Sequence, residues 1–338
     1  MRRLAVILFN LGGPDSLEAV KPFLRNLFSD PAILTVPAPV RFFLSRYIAR
    51  RREAPARAAY EQLGGSSPLL AQTEAQARAL EAVLEARGQE ARCFIAMRYW
   101  HPRAAAVLPA VRDYRPDEIV ALPLYPQFST TTSGSSLAEW RKLAGADKEL
   151  RILCCHPLLE GLVEAWAGPL AEAIRRARAA GPVRVLFTAH GLPERVIAKG
   201  DPYAWQVERT AETLRAAAEA RLESLDGVDW RVTWQSRATP EKWLEPDTEA
   251  EVEAGAREGL ALVLAPIAFV SEHSETLVEL DIEYRAVAER AGAVSWERVP
   301  TPGAAPSYIE SLAELVLDRR PRKRLCPMSC TGCPVAAR

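Results

Sequence analysis

The sequence predicts an α/β protein built as two similar, doubly wound lobes, and three observations lead there. The chain has 338 residues, more than the roughly 250 to 300 at which a single hydrophobic core stops growing. It carries a series of short, continuously apolar runs of the kind that form strands buried on both faces. Helical stretches separate nearly all of these runs, and alternating β and α elements build parallel sheets covered on both sides. Apolar residues make up 49% and charged residues 25% of the chain, which excludes a disordered or fibrous protein. Lys plus Arg equals Asp plus Glu at 43 each, so no bulk charge draws the chain to nucleic acid or to a membrane, and any such contact must be local.

The first run, Leu4 to Phe9 (LAVILF), ends in NLGGPD and reads as a buried parallel strand entering a tight loop. A helix follows from about Ser16. Further strands are expected at Arg92 to Met97, Glu118 to Leu122, Arg151 to Cys155, Val183 to Thr188, Trp230 to Trp234, Leu260 to Ile267 and Ala293 to Arg298. The polar loop Phe128 to Ser136 (FSTTTSGSS) marks the expected boundary. The first lobe is accordingly 1–127 plus 304–325, the second 128–303, and a Cys-rich tail covers 326–338. A final helix over Pro306 to Asp318 is expected to pack back on the first lobe. No apolar stretch approaches the ~20 residues that span a bilayer, and the N-terminus lacks a small-residue cleavage site, so a cytoplasmic location is expected.

In open α/β sheets ligands bind beyond the carboxyl ends of the strands. Two of the four His stand just after apolar runs: His190 in FTAHGLPERV and His273 in PIAFVSEHSETL. His190 is followed by Gly-Leu-Pro on a tight loop, a placement for a ligand rather than for core packing. His273 lies in an acidic run whose Glu272, Glu275, Glu279 and Glu283 fall at i, i+3, i+7 and i+11, which a helix would line along one face. The stripe lacks i+4 Lys or Arg partners on that face. Unpaired carboxylates suit cation binding or proton relay.

From Val40 to Arg52 (VRFFLSRYIARRR), Val40, Phe43, Leu44, Tyr47 and Ile48 form a helical stripe beside Arg41, Arg46, Arg50, Arg51 and Arg52. Such a helix either covers a core or rests on an anionic membrane surface. The chain ends RLCPMSCTGCPVAAR, with Cys326, Cys330 and Cys333 close together among Pro and Gly. This density points to metal rather than to a disulfide framework in so long a chain.

The segments FTAHGLPERVIAKGDPY, WQSRATPEKWLEPDT and PIAFVSEHSETLVELDIEYR, together with NLGGPD, FLRNLFSDP, AMRYWHP and LPLYPQFSTTTSGSS, resemble ferrochelatases in one order from Asn10 to Arg285. The resemblance implies insertion of Fe2+, the substrate metal, into protoporphyrin IX as the terminal step of haem biosynthesis. It also implies two Rossmann-like lobes with four-stranded parallel sheets and a porphyrin cleft between them. It makes His190 and Glu275 the catalytic and metal-handling pair, with Glu272, His273, Glu279 and Glu283 as a metal or proton path. Leu11, Tyr60, Tyr99 and Trp243 would line the porphyrin, and Arg51, Arg52, Ser67 and Arg98 would anchor propionates or shape the site. Two positions depart from the pattern: Ala58 stands where a Glu is often found, and Thr239 where a Gly commonly precedes Pro240. Some relatives carry a C-terminal [2Fe-2S] cluster, whose tail ligands Cys326, Cys330 and Cys333 resemble. The loop position that often gives a fourth Cys is Thr130 here, leaving Cys154 or Cys155 as substitutes. Protoporphyrin IX and ferrous iron are the expected partners, with no nucleic acid, peripheral contact with the inner face of the cytoplasmic membrane, and a monomer or homodimer as the assembly. A coproporphyrin or cobalt chelatase of the same fold is the rival enzyme, and a non-catalytic porphyrin or haem carrier the rival class.

Overall fold

The computed structural model describes residues 2–145, 150–237, 239, 241–320 and 323–334. They fall into two compact units, Met1–Cys155 with Leu312–Arg320, and His156–Ser311 with Pro321–Arg338. Each unit holds a four-stranded sheet in which every pairing is parallel.

The first unit runs β1 (Leu4–Asn10), α1 (Val20–Phe28), α2 (Ala38–Gln62), α3 (Leu69–Ala86), β2 (Ala91–Met97), α4 (Ala104–Tyr114), β3 (Glu118–Pro123), α5 (Ser133–Ala144) and β4 (Leu150–Ile152). The strand order is β2-β1-β3-β4. Every residue of β1 and of β3 is buried, as the continuous apolar runs LAVILFN and EIVALP require of central strands covered on both faces. On one face Ala5, Ile7 and Phe9, spaced by two, meet Phe94, Val107, Leu108, Val111, Leu137 and Trp140. Phe9 and Trp140 pack edge to face at 5.7 Å.

The second unit runs α6 (Glu160–Arg178), β5 (Val183–His190), α7 (Glu194–Ala198), α8 (Tyr203–Glu219), β6 (Val228–Gln235), α9 (Thr248–Arg257), β7 (Ala261–Pro266), α10 (Ser274–Leu277), a π-helical turn at Glu279–Tyr284, α11 (Arg285–Ala291) and β8 (Ser295–Arg298). Its order, β6-β5-β7-β8, repeats that of the first sheet. In both, the first strand lies between the second and the third, so successive crossovers leave it in opposite directions and open a crevice at its carboxyl end. Arg184 of β5 is 3% exposed, and its charge is met by Asp229 at 2.8 Å and Glu258 at 2.7 Å, the pairing that a buried guanidinium needs.

All eight strands read from the apolar runs are present, but the unit boundary differs from the expected one. The Ser/Thr-rich loop leads into α5, whose Leu137 and Trp140 belong to the core beneath β1, and β4 then pairs in parallel with β3. A crossover helix returns the chain to the sheet it left, so the first unit extends to Cys155. The last helix, α12 (Pro306–Leu317), also behaves differently, because the division falls within it. Arg151 of the first unit donates to the carbonyl of Asp318 at 3.2 Å and to that of Val316. In the second unit Tyr308 meets His156 at 3.1 Å. Of the tail 326–338, residues 326–334 are described.

Within the second unit α6 and α12 touch through Gly161, where an added Cβ would collide with the Ser307 carbonyl and the Ser311 hydroxyl. Gly161→Ala is expected to cost about 1–3 kcal/mol by overpacking and to lower the melting temperature. An unchanged melt would show that this contact yields freely.

Candidate active site

Adjacent parallel strands bring their carboxyl ends to the same side of a sheet, and here β5 and β7 deliver the two groups of interest. β5 ends on His190, and the chain then turns at Gly191, where a Cβ would lie 3.0 Å from the Gln235 carbonyl and 3.3 Å from the Trp243 ring. β7 ends at Pro266, and Ile267 still bonds to the Thr188 carbonyl at 3.0 Å. The following loop is closed by the Thr276 hydroxyl, which accepts from the His273 N–H at 3.0 Å and starts α10. Glu275, in the first turn of that helix, is thereby set 2.8 Å from His190 Nδ1. His273 Nε2 stands 4.0 Å from the same carboxylate oxygen.

The electrostatics follow from this geometry. Burial disfavours ionisation of Glu275, but the His190 imidazolium and its hydrogen bond, helped by His273, outweigh burial and pull the carboxyl down to about 2. Burial likewise opposes the charged imidazole of His190, yet Glu275, with Glu279 behind it, leaves its pKa above the ordinary 6.5. For His273 burial prevails over the attraction of Glu275 and Glu272, and the pKa falls. His190 keeps 36% of its side chain exposed and Glu275 26%, so the pair meets solvent and is partly screened.

The carboxylates that follow do not form one helical stripe. Glu272 precedes the helix, and its carboxylate accepts from Arg298 at 2.8 Å and from the Thr301 N–H at 3.0 Å. The backbone then winds as a π-turn from Glu279 to Tyr284, which breaks the 3.6-residue period, and Glu283 is exposed. Glu279 instead turns back toward the strand ends. It accepts from Gln235 Nε2 at 3.0 Å, from Tyr284 Oη at 2.7 Å and from the Ser236 hydroxyl. Burial first, and the charge of Glu275 second, raise its pKa. Ser236 has φ 66°, a left-handed conformation costing a non-glycine residue on the order of 1–3 kcal/mol. Gln235, Ser236, Tyr284 and Arg298 were not singled out from the sequence, although Gln235 ends β6, Ser236 follows it directly and the strand-end rule points to both.

Trp243 lies in the second unit beside the His190 loop, 6% exposed, with Nε1 donating to the Thr239 carbonyl at 3.0 Å; Pro240 lies outside the described residues. In the first unit Leu11, half-buried after β1, accepts from the Tyr99 N–H at 2.9 Å. Tyr99 and Tyr60 are 1% and 7% exposed in one apolar cluster with Phe23 and Phe28. The Tyr99 hydroxyl donates to Asp30 at 2.8 Å, and Arg98 pairs with Asp30 at 2.8 Å and with Glu139 at 3.2 Å. Asp30, within the quoted FLRNLFSDP segment, was not singled out as a partner. Ser67 bonds through its N–H to the Pro14 carbonyl at 2.8 Å, while on α2 Arg51 is exposed and Arg52 half-buried. Cys326, Cys330 and Cys333 are buried together against Trp205. Among the described residues no group of three or more His, Cys, Asp or Glu is already arranged to hold a metal ion.

The ferrochelatase family model matches residues 3–320. The chain belongs to the ferrochelatase family. A ferrochelatase of Phenylobacterium zucineum (strain HLK1) is 49% identical over 336 residues, covering 99% of this chain and 96% of the relative. One from Caulobacter vibrioides (strain NA1000 / CB15N) is 49% identical over 319 residues, covering 94% and 90%. A third, from Hyphomonas neptunium (strain ATCC 15444), is 47% identical over 350 residues. A ferrochelatase must handle a divalent cation and two pyrrole protons, and an imidazole–carboxylate pair at a strand-end crevice has the functional groups for both.

Replacing Glu275 by Gln removes the main group that raises the His190 pKa and leaves burial opposed only by Glu279, so that pKa is expected to fall, as read by an NMR titration of the imidazole. The sign for stability follows. The raised His190 contributes fully below pH 6.5 and loses its contribution as pH rises through its folded value. The depressed Glu275 contributes fully above pH 4.5 and loses its contribution as pH falls toward about 2. The pair therefore stabilises most between pH 4.5 and 6.5, and Glu275→Gln should lower the melt within that window and remove the pair's loss of stability on either side of it. An unmoved His190 titration would show that the pair is not electrostatically coupled.

Proposed function

We propose that His190 and Glu275 carry out the family's reaction here, insertion of Fe2+ into protoporphyrin IX to form protohaem in haem biosynthesis. The observation that carries this reading is the 2.8 Å contact between His190 Nδ1 and Glu275 Oε2 at the ends of β5 and β7. In the neutral imidazole, Nδ1–H donates to the carboxylate and the lone pair of Nε2 remains for a pyrrole proton or for the incoming iron. Accepting a proton yields an imidazolium beside an ionised Glu275, the state that the raised His190 pKa already favours. His273 and Glu279 extend the same polar group and serve as a proton path. Glu272, neutralised by Arg298, supports the loop from outside it.

For the substrate's propionates, Arg51 and Arg52 on α2 are the anchoring cations, and Arg98, bound to Asp30 and Glu139, shapes the site. Leu11, Tyr60, Ser67 and Tyr99 are porphyrin contacts in this reading, Trp243 supports the His190 loop, and Arg98 acts by fixing Tyr99. His190→Ala is expected to lower formation of iron or zinc protoporphyrin by at least ~100-fold, followed in the Soret band without oxygen. Near-normal insertion by this variant would refute the assignment.

We further propose that the chain works on the cytoplasmic side of a membrane and in contact with it. The stripe expected on α2 divides: Ser45, Ile48 and Ala49 turn inward, while Val40, Phe42, Phe43 and Tyr47 are 52%, 52%, 70% and 59% exposed. Apolar side chains outside, beside Arg46, Arg50 and Arg51, suit an anionic lipid surface that accepts a greasy substrate and product. Among the described residues no helix is long and apolar enough to cross a membrane. Phe43→Asp with Tyr47→Asp is expected to abolish sedimentation with phosphatidylserine-containing vesicles, and undiminished binding would count against this surface.

The tail thiols fit an iron–sulfur group in kind: Cys326, Cys330 and Cys333 are buried together, and a [2Fe-2S] cluster takes thiolate ligands. These three residues would hold it, supplying a one-electron centre. Cys93, Cys154 and Cys155 belong to the first unit.

A further inference from the structure

The first turn of α8 reaches the tail through one side chain. Gln206 is 0% exposed, and its Nε2 lies 3.0 Å from Cys326 Sγ. A thiolate can only accept hydrogen bonds, so the amide must present its NH2 group to the sulfur.

The approach is fixed by contacts on both sides of it. Gly332 N–H donates to the Gly200 carbonyl at 2.9 Å, and the Thr331 hydroxyl donates to the Lys199 carbonyl at 3.3 Å. Gly200 has φ +88°, and a Cβ there would meet the Thr331 backbone nitrogen at 2.8 Å, so only glycine lets the tail lie this close. From the other side Arg324 donates to the Cys326 carbonyl at 2.8 Å and to the Cys330 carbonyl at 3.1 Å. Cys326 is thus held against Gln206 by backbone contacts that do not involve the sulfur.

We infer that Gln206 is a built-in hydrogen-bond donor to the Cys326 sulfur that raises the reduction potential of the iron–sulfur centre proposed for the tail. The inference rests on that proposal. An N–H directed at a ligating sulfur withdraws electron density from it and stabilises the extra negative charge of the reduced centre. The amide is buried, so water neither competes for the sulfur nor screens the dipole.

The test uses the full chain purified without oxygen. Iron, inorganic sulfide and visible absorbance establish whether the centre is present, and a dithionite titration followed by electron paramagnetic resonance gives its potential. Gln206→Leu is expected to keep the centre and move its potential to more negative values, and Gln206→Glu to move it further. An intact centre with an unchanged potential in both variants overturns the inference and leaves the cluster reading standing. A wild-type protein without inorganic sulfide overturns both. Should the variants fail to assemble, the reduced wild-type protein labelled with 15N only in glutamine side chains decides the matter. A hyperfine coupling to that nitrogen supports the inference, and its absence refutes it.

Discussion

The ionised Glu275 carboxylate, set 2.8 Å from His190, is the constraint around which the second unit is arranged. A buried carboxylate needs a compensating charge, and the partner supplied is a base whose own charge is conditional on pH. That choice requires two groups 85 positions apart in the chain to meet within a hydrogen bond. The sheet makes the meeting cheap. β5 and β7 run in parallel with Thr188 opposite Pro266, so His190 needs two further residues and Glu275 one short loop. The short helix, the Thr276 cap and the π-turn then place the next carboxylate, Glu279, behind the first rather than out in solvent.

Much of this was legible in the chain. Strands buried on both faces announce themselves as apolar runs, as β1, β3 and β7 do, while β5 carries one interruption at Arg184. His190 could be singled out because a polar residue just beyond such a run sits at a strand end, whereas Glu275 was one of four Glu in an acidic run until the resemblance to ferrochelatases made it the partner of His190. What the sequence hid is non-local. The i+4 search for a cation near Glu272 fails because its partner, Arg298, lies 26 residues away at the end of β8. The helical spacing of the four Glu residues assumes 3.6 residues per turn, and the π-turn abolishes that assumption. The unit boundary was drawn at a polar loop, whereas the pairing of β4 with β3 decides where the first unit ends.

The two sheets share a strand order yet treat their carboxyl ends differently. In the first unit, Asp30 follows α1 and gathers Arg98 at 2.8 Å, the Tyr99 hydroxyl at 2.8 Å and the Ser135 hydroxyl. Its charge is matched by a guanidinium, which keeps its proton at any ordinary pH. The result is a closed network, suited to holding loops at fixed positions. In the second unit the corresponding anion faces an imidazole with an open nitrogen, a second imidazole whose charged form burial disfavours, and a carboxyl whose ionisation is disfavoured.

This contrast locates the chemistry more firmly than either residue alone. Arginine in place of His190 would satisfy Glu275 at least as well as an ion pair, but it would leave no lone pair for a pyrrole proton or for iron. Lysine would do so only after losing a proton that Glu275 strongly retains. Imidazole alone among the common partners both compensates the buried charge and can give up its own near neutral pH. The requirement for a separable charge, and not stability, therefore explains why the anion of the second unit faces a histidine where Asp30 of the first faces an arginine.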